Sequence, residues 1–247
     1  MKICLAICLW GMILQGSAQT QIAFISDAHI QDVDGHAERV RSMEAQVQST
    51  RLFNENYYAL LAALDDVASR DIRWVVLPGD LTDDGQLFKQ QKIKELLNSY
   101  ATGKGMRFFV TTGNHDPALP LGHAKKNAHF LAADGSRVTR EDSCAGYVSQ
   151  MECYADFGFF PRKDDRYWES PFTSYTYDKY SYEDACRESV LGKRTYTLCD
   201  SLTATDASYL VEPVDGLWLL AIDGGVYLPK EMKEGKWTYQ GSSAGYN

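Results

Sequence analysis

Residues 72–84 read IRWVVLPGDLTDD, and this stretch shows the arrangement on which the fold depends. The apolar run Ile72–Leu77 has the length and composition of a buried strand. It ends at Gly79, which permits a tight turn, and acidic residues beginning with Asp80 follow. The stretch therefore predicts a strand that delivers carboxylates to its carboxyl end.

The same arrangement recurs on both sides of this stretch. QIAFIS at 21–26 precedes Asp27-Ala28-His29, and RFFVT at 107–111 precedes Gly113-Asn114-His115-Asp116. Residues 54–69 and 86–100, between the strands, have the apolar spacing of amphipathic helices. Alternating strands and helices predict a parallel sheet, and ligands bind at the carboxyl ends of such strands. Residues 217–222 (LWLLAI) predict a further core strand that ends at Asp223.

The composition is that of a globular protein. The 247 residues are 45% hydrophobic and 23% charged, which is enough to bury a core. The net charge of -8 argues against binding to duplex nucleic acid, because phosphate neutralisation needs clustered Lys and Arg. The 5 histidines and 6 cysteines are too few for a scaffold held by structural zinc.

The first 18 residues have the order of a secretory signal peptide. Lys2 precedes an apolar run, Ile3–Leu14, and small residues lead to a predicted cleavage site after Ala18. We therefore expect a mature domain, 19–247, that is secreted or periplasmic and has no integral membrane segment. Disulfides persist in such a compartment. We expect at least one bridge among four cysteines, with four unpaired thiols as the alternative: Cys144, Cys153, Cys186 and Cys199.

The periodicity fails between residues 118 and 205, where aromatic residues accumulate. We interpret this segment as an inserted cap or lid with one helix over residues 146–157. Large aromatic side chains mostly serve burial, so the rings are expected to pack the cap onto the domain. Binding of a sugar, nucleoside or lipid headgroup by stacking is the alternative.

Three loops at one sheet edge supply the side chains of a metal site. Carboxylate and amide oxygens mixed with imidazole suit Mn, Fe, Zn, Co or Ni, whereas Mg or Ca sites use oxygens alone. Asp80 follows a glycine and has two carboxylate oxygens, so it is the candidate for a bridge between two cations.

The three motifs D-x-H, G-D-x-x-D and G-N-H-D, in this order and with this spacing, resemble the calcineurin-like metallophosphoesterase superfamily. The resemblance is strong over residues 21–116 and weaker over 217–224. It implies an α/β fold, namely an α/β/β/α sandwich. The two-metal site would lie at the strand ends, and the cap would be an insertion into this fold. The resemblance also implies hydrolysis of a small phosphomonoester or phosphodiester by a water activated between two divalent or trivalent metal ions.

The resemblance assigns a role to each matching residue. Asp27 and His29 would bind the first metal, Asp80 would bridge both metals, and Asn114 would bind the second. His115 would not be a ligand but would protonate the leaving group or stabilise its charge.

Other polar residues near the motifs have more than one interpretation. Asp116 either orients the imidazole of His115 or serves as a turn residue before Pro117. Asp83 and Asp84 are expected to support the ligands or cap a helix. The remaining histidines have no motif neighbours and are not expected to bind metal: His36, His123 and His129.

The chain departs from the family pattern after the third motif. The family adds a later histidine and a G-H-x-H element, but this sequence has no histidine after His129. Either the chain is a fragment that lacks the C-terminal part of the domain, with an incomplete second sheet, or it is a degenerate relative. We expect a fragment, because the ligands that are present are intact and a core strand is left without a neighbour. The alternative function is that of an exported, non-catalytic ligand-binding protein.

Overall fold

The structure, a computed structural model, describes residues 20–31, 33–49, 51–117, 119–199, 202–232 and 235–243. The predicted signal peptide, residues 1–18, lies outside these residues. No helix in the described part of the chain is both long and apolar enough to cross a membrane.

The described residues form strands and helices in mixed order. The strands are β1 (Ile22–Phe24), β2 (Trp74–Pro78), β3 (Arg107–Thr111), β4 (His123–Leu131), β5 (Arg137–Cys144), β6 (Tyr167–Glu169), β7 (Thr195–Cys199), β8 (Leu202–Thr205), β9 (Tyr209–Val214), β10 (Leu217–Ala221), β11 (Gly225–Glu231) and β12 (Trp237–Ser243). The α-helices are α1 (Met43–Ser49), α2 (Asn56–Ser69), α3 (Leu87–Lys104), α4 (Tyr147–Cys153) and α5 (Tyr182–Glu188).

The first sheet is parallel, in the order β1-β2-β3, as the sequence predicts. The predicted helices over 54–69 and 86–100 correspond to α2 and α3, the crossovers that parallel strands require. These helices bury apolar side chains such as Leu64 and Ile93 in the same core as Val75 and Leu77. The chain thus has the predicted α/β fold, and the carboxyl ends of β1, β2 and β3 meet at one edge.

A second, antiparallel sheet in the order β10-β9-β6 packs against the first. Phe24, Val76 and Phe109 are in register across β1, β2 and β3. They line an apolar cavity of about 230 Å³ together with Leu219 and Ala221 of β10. The Tyr209 hydroxyl of β9 donates a buried hydrogen bond of 2.9 Å to the Val110 carbonyl of β3. Helices, first sheet and second sheet therefore form successive layers.

The segment assigned to the cap contains more regular structure than its periodicity predicts. A long hairpin, β4 with β5, begins it, and β6 pairs with β9 in the second sheet. The helix predicted over 146–157 ends at Cys153, and a wider helical turn, Ala155–Phe159, follows it. The division of the chain into a domain and a cap stays a prediction.

Candidate metal centre

Three of the four predicted ligands meet beyond the ends of β1 and β2. His29 Nε2 lies 3.8 Å from Asp27 Oδ1 and 3.7 Å from Asp80 Oδ2. One ligand atom from each of these three residues lies within 4.8 Å of the others. The loops after two neighbouring strands therefore bring together the side chains that the motifs predict.

The backbone at these three residues adopts an uncommon conformation. Asp27, His29 and Asp80 have φ values of 55°, 41° and 51°, in the left-handed region that non-glycine residues rarely occupy. The His29 amide donates to the Asp80 carbonyl at 2.8 Å, which holds the two loops side by side. The surrounding structure thus maintains a strained backbone where the candidate ligands lie, as is common at functional sites.

Gly113, which follows β3, has no side chain, and Asp80 occupies the space that a side chain there would fill. A Cβ atom at Gly113 would lie 2.1 Å from Asp80 Oδ1 and 2.3 Å from the Asp80 amide nitrogen. The backbone amide of His115 donates to Asp80 Oδ1 at 2.8 Å. The third motif therefore fixes the carboxylate of the second motif through its backbone.

His29 has the properties of a neutral imidazole ligand. The residue is 7% exposed, and its Nδ1 is buried without a hydrogen-bond partner in the described part of the chain. Burial lowers the pKa of His29, and the positive charge of Arg51 lowers this pKa further. A neutral imidazole keeps a lone pair for a metal ion.

The donor set and its spacing fit a transition-metal ion. The separations of 3.7 and 3.8 Å between His29 Nε2 and the carboxylate oxygens exceed hydrogen-bond distance. They suit two donors on a common ion with ligand bonds of about 2.0–2.2 Å. Imidazole mixed with carboxylate favours the metals predicted from the sequence.

Asn114 lies between two residues that contact Asp80, namely Gly113 and His115. Its own side chain is exposed. Its backbone is therefore next to the candidate bridge, and its role as a ligand of a second metal stays a prediction.

His115 is held by Asp83 and Arg51. Its Nδ1 lies 2.7 Å from the backbone carbonyl of Asp83, and its Nε2 lies 2.9 Å from Nη2 of Arg51. A carbonyl only accepts and a guanidinium only donates. This pairing therefore assigns the proton to Nδ1 and a lone pair to Nε2, which faces away from the Asp83 carbonyl.

Sequence comparison places this chain in a known family. The profile of the calcineurin-like phosphoesterase family matches residues 20–197, which include all three motifs. The chain belongs to the calcineurin-like phosphoesterase family. A search of curated protein sequences found no significant match. Calcineurin-like phosphoesterases are generally metal-dependent hydrolases, and the family assignment agrees with the observed mixed α/β fold.

The imidazole of His115 makes its described hydrogen bonds with Asp83 and Arg51 and not with Asp116. In this calcineurin-like phosphoesterase, Asp116 instead supports the candidate metal centre. It is fully buried, and its carboxylate accepts hydrogen bonds from the Leu81 and Thr82 amides, the Thr82 hydroxyl and the Gln150 side chain. Burial raises the pKa of Asp116 to about 7, although the bonds from Thr82 oppose this effect. Asp116 therefore fixes the loop that follows Asp80.

The other acidic residues of the second motif have separate partners. Asp83 accepts from Arg51 Nη1 at 2.6 Å, and Asp84 accepts from Gln86 at 3.1 Å and pairs with Lys125. Asp84 thus contacts the hairpin β4–β5, whereas Asp83 belongs to the metal-centre surroundings. Among the described residues, the candidate metal-binding groups contain none of three histidines: His36, His123 and His129.

Two further residues have roles that the sequence did not indicate. Asp223, at the end of β10, accepts from Tyr147 at 2.8 Å and from Thr112 at 3.1 Å, so it joins the second sheet to the loop after β3. Arg51, in the connection between α1 and α2, reaches the metal-centre surroundings although no motif contains it. Only its proximity in space to Asp83 and His115 reveals it.

The four cysteines of the described domain are free thiols: Cys144, Cys153, Cys186 and Cys199. They belong to different elements, β5, α4, α5 and β7. The predicted disulfide is not formed in the structure, and it stays a prediction for the oxidised protein.

Proposed function

We propose that this protein hydrolyses phosphomonoesters or phosphodiesters at a two-metal centre. The observation that supports the proposal most directly is the convergence of Asp27, His29 and Asp80, whose ligand atoms lie within 4.8 Å of one another. Asp27 and His29 would hold the first metal, Asp80 would be shared, and Asn114 would contribute to the second. When bound, such metals supply charge stabilisation for the phosphoryl oxygens and activate water for in-line attack.

The residues of this chain have defined tasks in the proposed reaction. Asp80 is held by the His115 amide, so its carboxylate is preorganised before any ligand binds. His115 is the proposed acid for the leaving oxygen. Its Nε2, which accepts from Arg51 in this structure, would take up a proton from solvent and release Arg51 before transferring that proton. The Asp83 carbonyl fixes the orientation of the ring by accepting from Nδ1.

The aromatic segment gives more support to packing than to ligand capture. Of the eleven aromatic residues that suggested a binding surface, five are buried, five are partly buried, and Tyr177 is exposed. These residues are Tyr154, Phe157, Phe159, Phe160, Tyr167, Trp168, Phe172, Tyr175, Tyr177, Tyr180 and Tyr182. The hydrolase is therefore the function that we propose, and non-catalytic binding is an outcome of its test.

Hydrolysis of bis-p-nitrophenyl phosphate with added Mn²⁺ tests the proposal. Asp80→Asn keeps the shape of the side chain but removes its charge, and we expect kcat/KM to fall at least about 100-fold. Bound manganese, measured by mass spectrometry, is expected to fall with it. Asp66→Asn, which changes an exposed aspartate of α2, is the matched control and should leave both quantities unchanged.

Two results would contradict the proposed function. Hydrolysis by Asp80→Asn at the wild-type rate would show that the reaction does not use this centre. A wild-type protein that binds manganese tightly but turns over neither monoesters nor diesters would support the non-catalytic alternative.

We also propose that the protein is exported and acts outside the cytoplasm. The basis is the signal-like order of residues 1–18. Amino-terminal sequencing of the protein recovered from the periplasm or the medium should begin at Gln19. Recovery of the intact amino terminus from the cytoplasm would refute this localisation.

A further inference from the structure

Arg51 brings a positive charge to the edge of the metal centre. Its guanidinium donates to the buried carboxylate of Asp83 at 2.6 Å and to His115 Nε2 at 2.9 Å. The ring of His115 in turn lies edge-on to that of His29, with centroids 5.0 Å apart. Arg51 is therefore separated from a candidate metal ligand by a single side chain.

The connection that carries Arg51 is attached to the framework at several points. Asn54 exchanges hydrogen bonds with the Arg41 backbone at 2.9 and 3.0 Å, and Asn56 donates to the His29 carbonyl at 3.2 Å. The Arg51 side chain is nevertheless 27% exposed. It is thus held in position and is also accessible to a ligand from solvent.

Arg51 also explains a second group of possible metal ligands. His29, Asp83 and His115 offer ligand atoms within 4.8 Å of one another. Arg51 already donates to two of these three residues, so a cation there would have to displace a guanidinium of like charge. This group is better explained as a guanidinium-binding site.

The charges around Arg51 favour an anion. Metal ions held by Asp27, His29 and Asp80 would add positive charge next to Arg51, whose own charge is paired with that of Asp83. Arg51 and the metal ions together would attract a doubly charged phosphoryl group more strongly than a singly charged one. A guanidinium presents five N–H donors in a fixed plane, and between described residues it uses two of them on Asp83 and His115.

We propose that Arg51 binds the phosphoryl oxygens of the substrate and favours a dianionic phosphoryl group. The inference rests on the proposed phosphohydrolase function, which it extends to a class of substrate, the phosphomonoesters. Asp83 orients the guanidinium toward the metal centre, and its planar donors suit the oxygens of a phosphoryl group.

Equilibrium binding of inorganic phosphate to the manganese-loaded chain tests the proposal without requiring turnover. Calorimetry should show binding by Arg51→Gln that is about 10- to 100-fold weaker, because charge-assisted hydrogen bonds are lost. Arg51→Lys keeps the charge without the planar donors and should give an intermediate loss. Arg70→Gln, at an exposed arginine paired with Asp66, is the control and should bind as the wild type does. The loss in Arg51→Gln should be smaller for dimethyl phosphate, which carries a single charge.

Metal content and circular dichroism, measured on the same samples, separate a binding role from a positioning role. Retained manganese and fold with weakened phosphate binding support the proposal. Unchanged phosphate affinity in Arg51→Gln overturns the proposal. Parallel loss of manganese and of phosphate binding also overturns it, because Arg51 would then be a residue that orders the metal ligands. Equal losses for phosphate and dimethyl phosphate overturn the preference for a dianion.

Failure of the proposed function gives a different result. A wild-type protein that binds phosphate through Arg51 but hydrolyses no ester refutes the hydrolase and leaves the anion site supported. A wild-type protein that hydrolyses esters with the same rate constants as Arg51→Gln refutes the role of Arg51 alone.

Discussion

Replacement of Lys89 by methionine is expected to stabilise the protein at neutral pH. Lys89 lies in the first turn of α3 and is fully buried, and its Nζ has no hydrogen-bond partner in the described part of the chain. Burial lowers the pKa of Lys89 from its ordinary value of 10.5 to about 8, although the negative charges of Asp83 and Asp84 oppose this effect. The folded state therefore binds the Lys89 proton less tightly than the unfolded state.

The sign and size of the effect follow from proton linkage. Between pH 8 and pH 10.5 the unfolded chain retains the Lys89 proton that the folded chain has released, so the free energy of unfolding rises with pH. Each pH unit contributes about 1.4 kcal/mol, which gives about 3 kcal/mol over this interval. The destabilisation by Lys89 is complete below pH 8 and disappears above pH 10.5.

Urea unfolding of the wild type and Lys89→Met at pH 7, 9 and 10 measures this effect. We expect Lys89→Met to be more stable by up to about 3 kcal/mol at pH 7, with the difference shrinking as pH rises. Lys126→Met is the control, because the Lys126 side chain is 73% exposed, and its effect should be small at every pH. A Lys89→Met protein that is less stable than the wild type at pH 7, or a difference that does not change with pH, would refute the reasoning.

Three further substitutions test contacts around the site and the core. Gly113→Ala should lower manganese affinity at least about tenfold, because the new Cβ would lie 2.1 Å from Asp80 Oδ1. Mass spectrometry of dialysed protein measures the affinity, and Gly103→Ala, in open space on α3, is the control that should keep it. Asp116→Asn should remove a pH dependence of stability. The pKa of Asp116 is raised to about 7, so between about pH 4 and pH 7 the folded state retains a proton that the unfolded chain releases, and the wild-type free energy of unfolding should fall by up to about 4 kcal/mol. An unchanged pH dependence in urea titrations of the variant would contradict this. Tyr209→Phe removes the hydrogen bond to the Val110 carbonyl and should cost about 1–2 kcal/mol in thermal unfolding, whereas no loss would show that this bond does not join the sheets.

The part of the fold that the sequence predicts is the part with regular apolar spacing. The run Arg107–Thr111 forms β3 with the predicted bounds. The helix predicted over residues 54–69 forms as α2, and it buries apolar side chains at helical spacing: Tyr57, Leu60, Leu64 and Val67. The hairpin β4–β5 was not predicted, because charged residues in HAKKNAHFL interrupt the alternation that marks a half-buried strand. Its strands are held by pairing with each other more than by a buried apolar face.

Helix α3 shows a limit of hydrophobic patterning. The spacing predicts Leu87 on the apolar side, but Leu87 is 45% exposed, whereas Lys89 and Gln90 are fully buried. The start of α3 packs beside the loop that carries Asp83 and Asp84, whose charges interact with Lys89. A local rule cannot anticipate this, because the burial of a polar residue depends on charges that tertiary structure brings together.

The residues of the candidate site also divide into those that the sequence predicts and those that it does not. Asp27, His29 and Asp80 were predicted because each follows a strand directly, and the sheet then determines where the side chains meet. Arg51 was not predicted, since its partners Asp83 and His115 are 32 and 64 residues away in sequence. Strand ends are readable from sequence, whereas a side chain that enters a site from a loop is found only in three dimensions.

Backbone strain supports the site independently of the motifs. Among the described residues, four non-glycine residues have φ in the left-handed region, and three of them are the candidate ligands Asp27, His29 and Asp80. The fourth, Asp71, follows α2, where a left-handed residue is a common helix ending. Each strained residue costs about 1–3 kcal/mol and persists only where the surrounding contacts hold it. Here the bond from the His29 amide to the Asp80 carbonyl and the bond from the His115 amide to the Asp80 carboxylate supply those contacts. The third motif thus holds the second through Asp80, and the second holds the first through the His29 amide, so the three motifs are coupled in series.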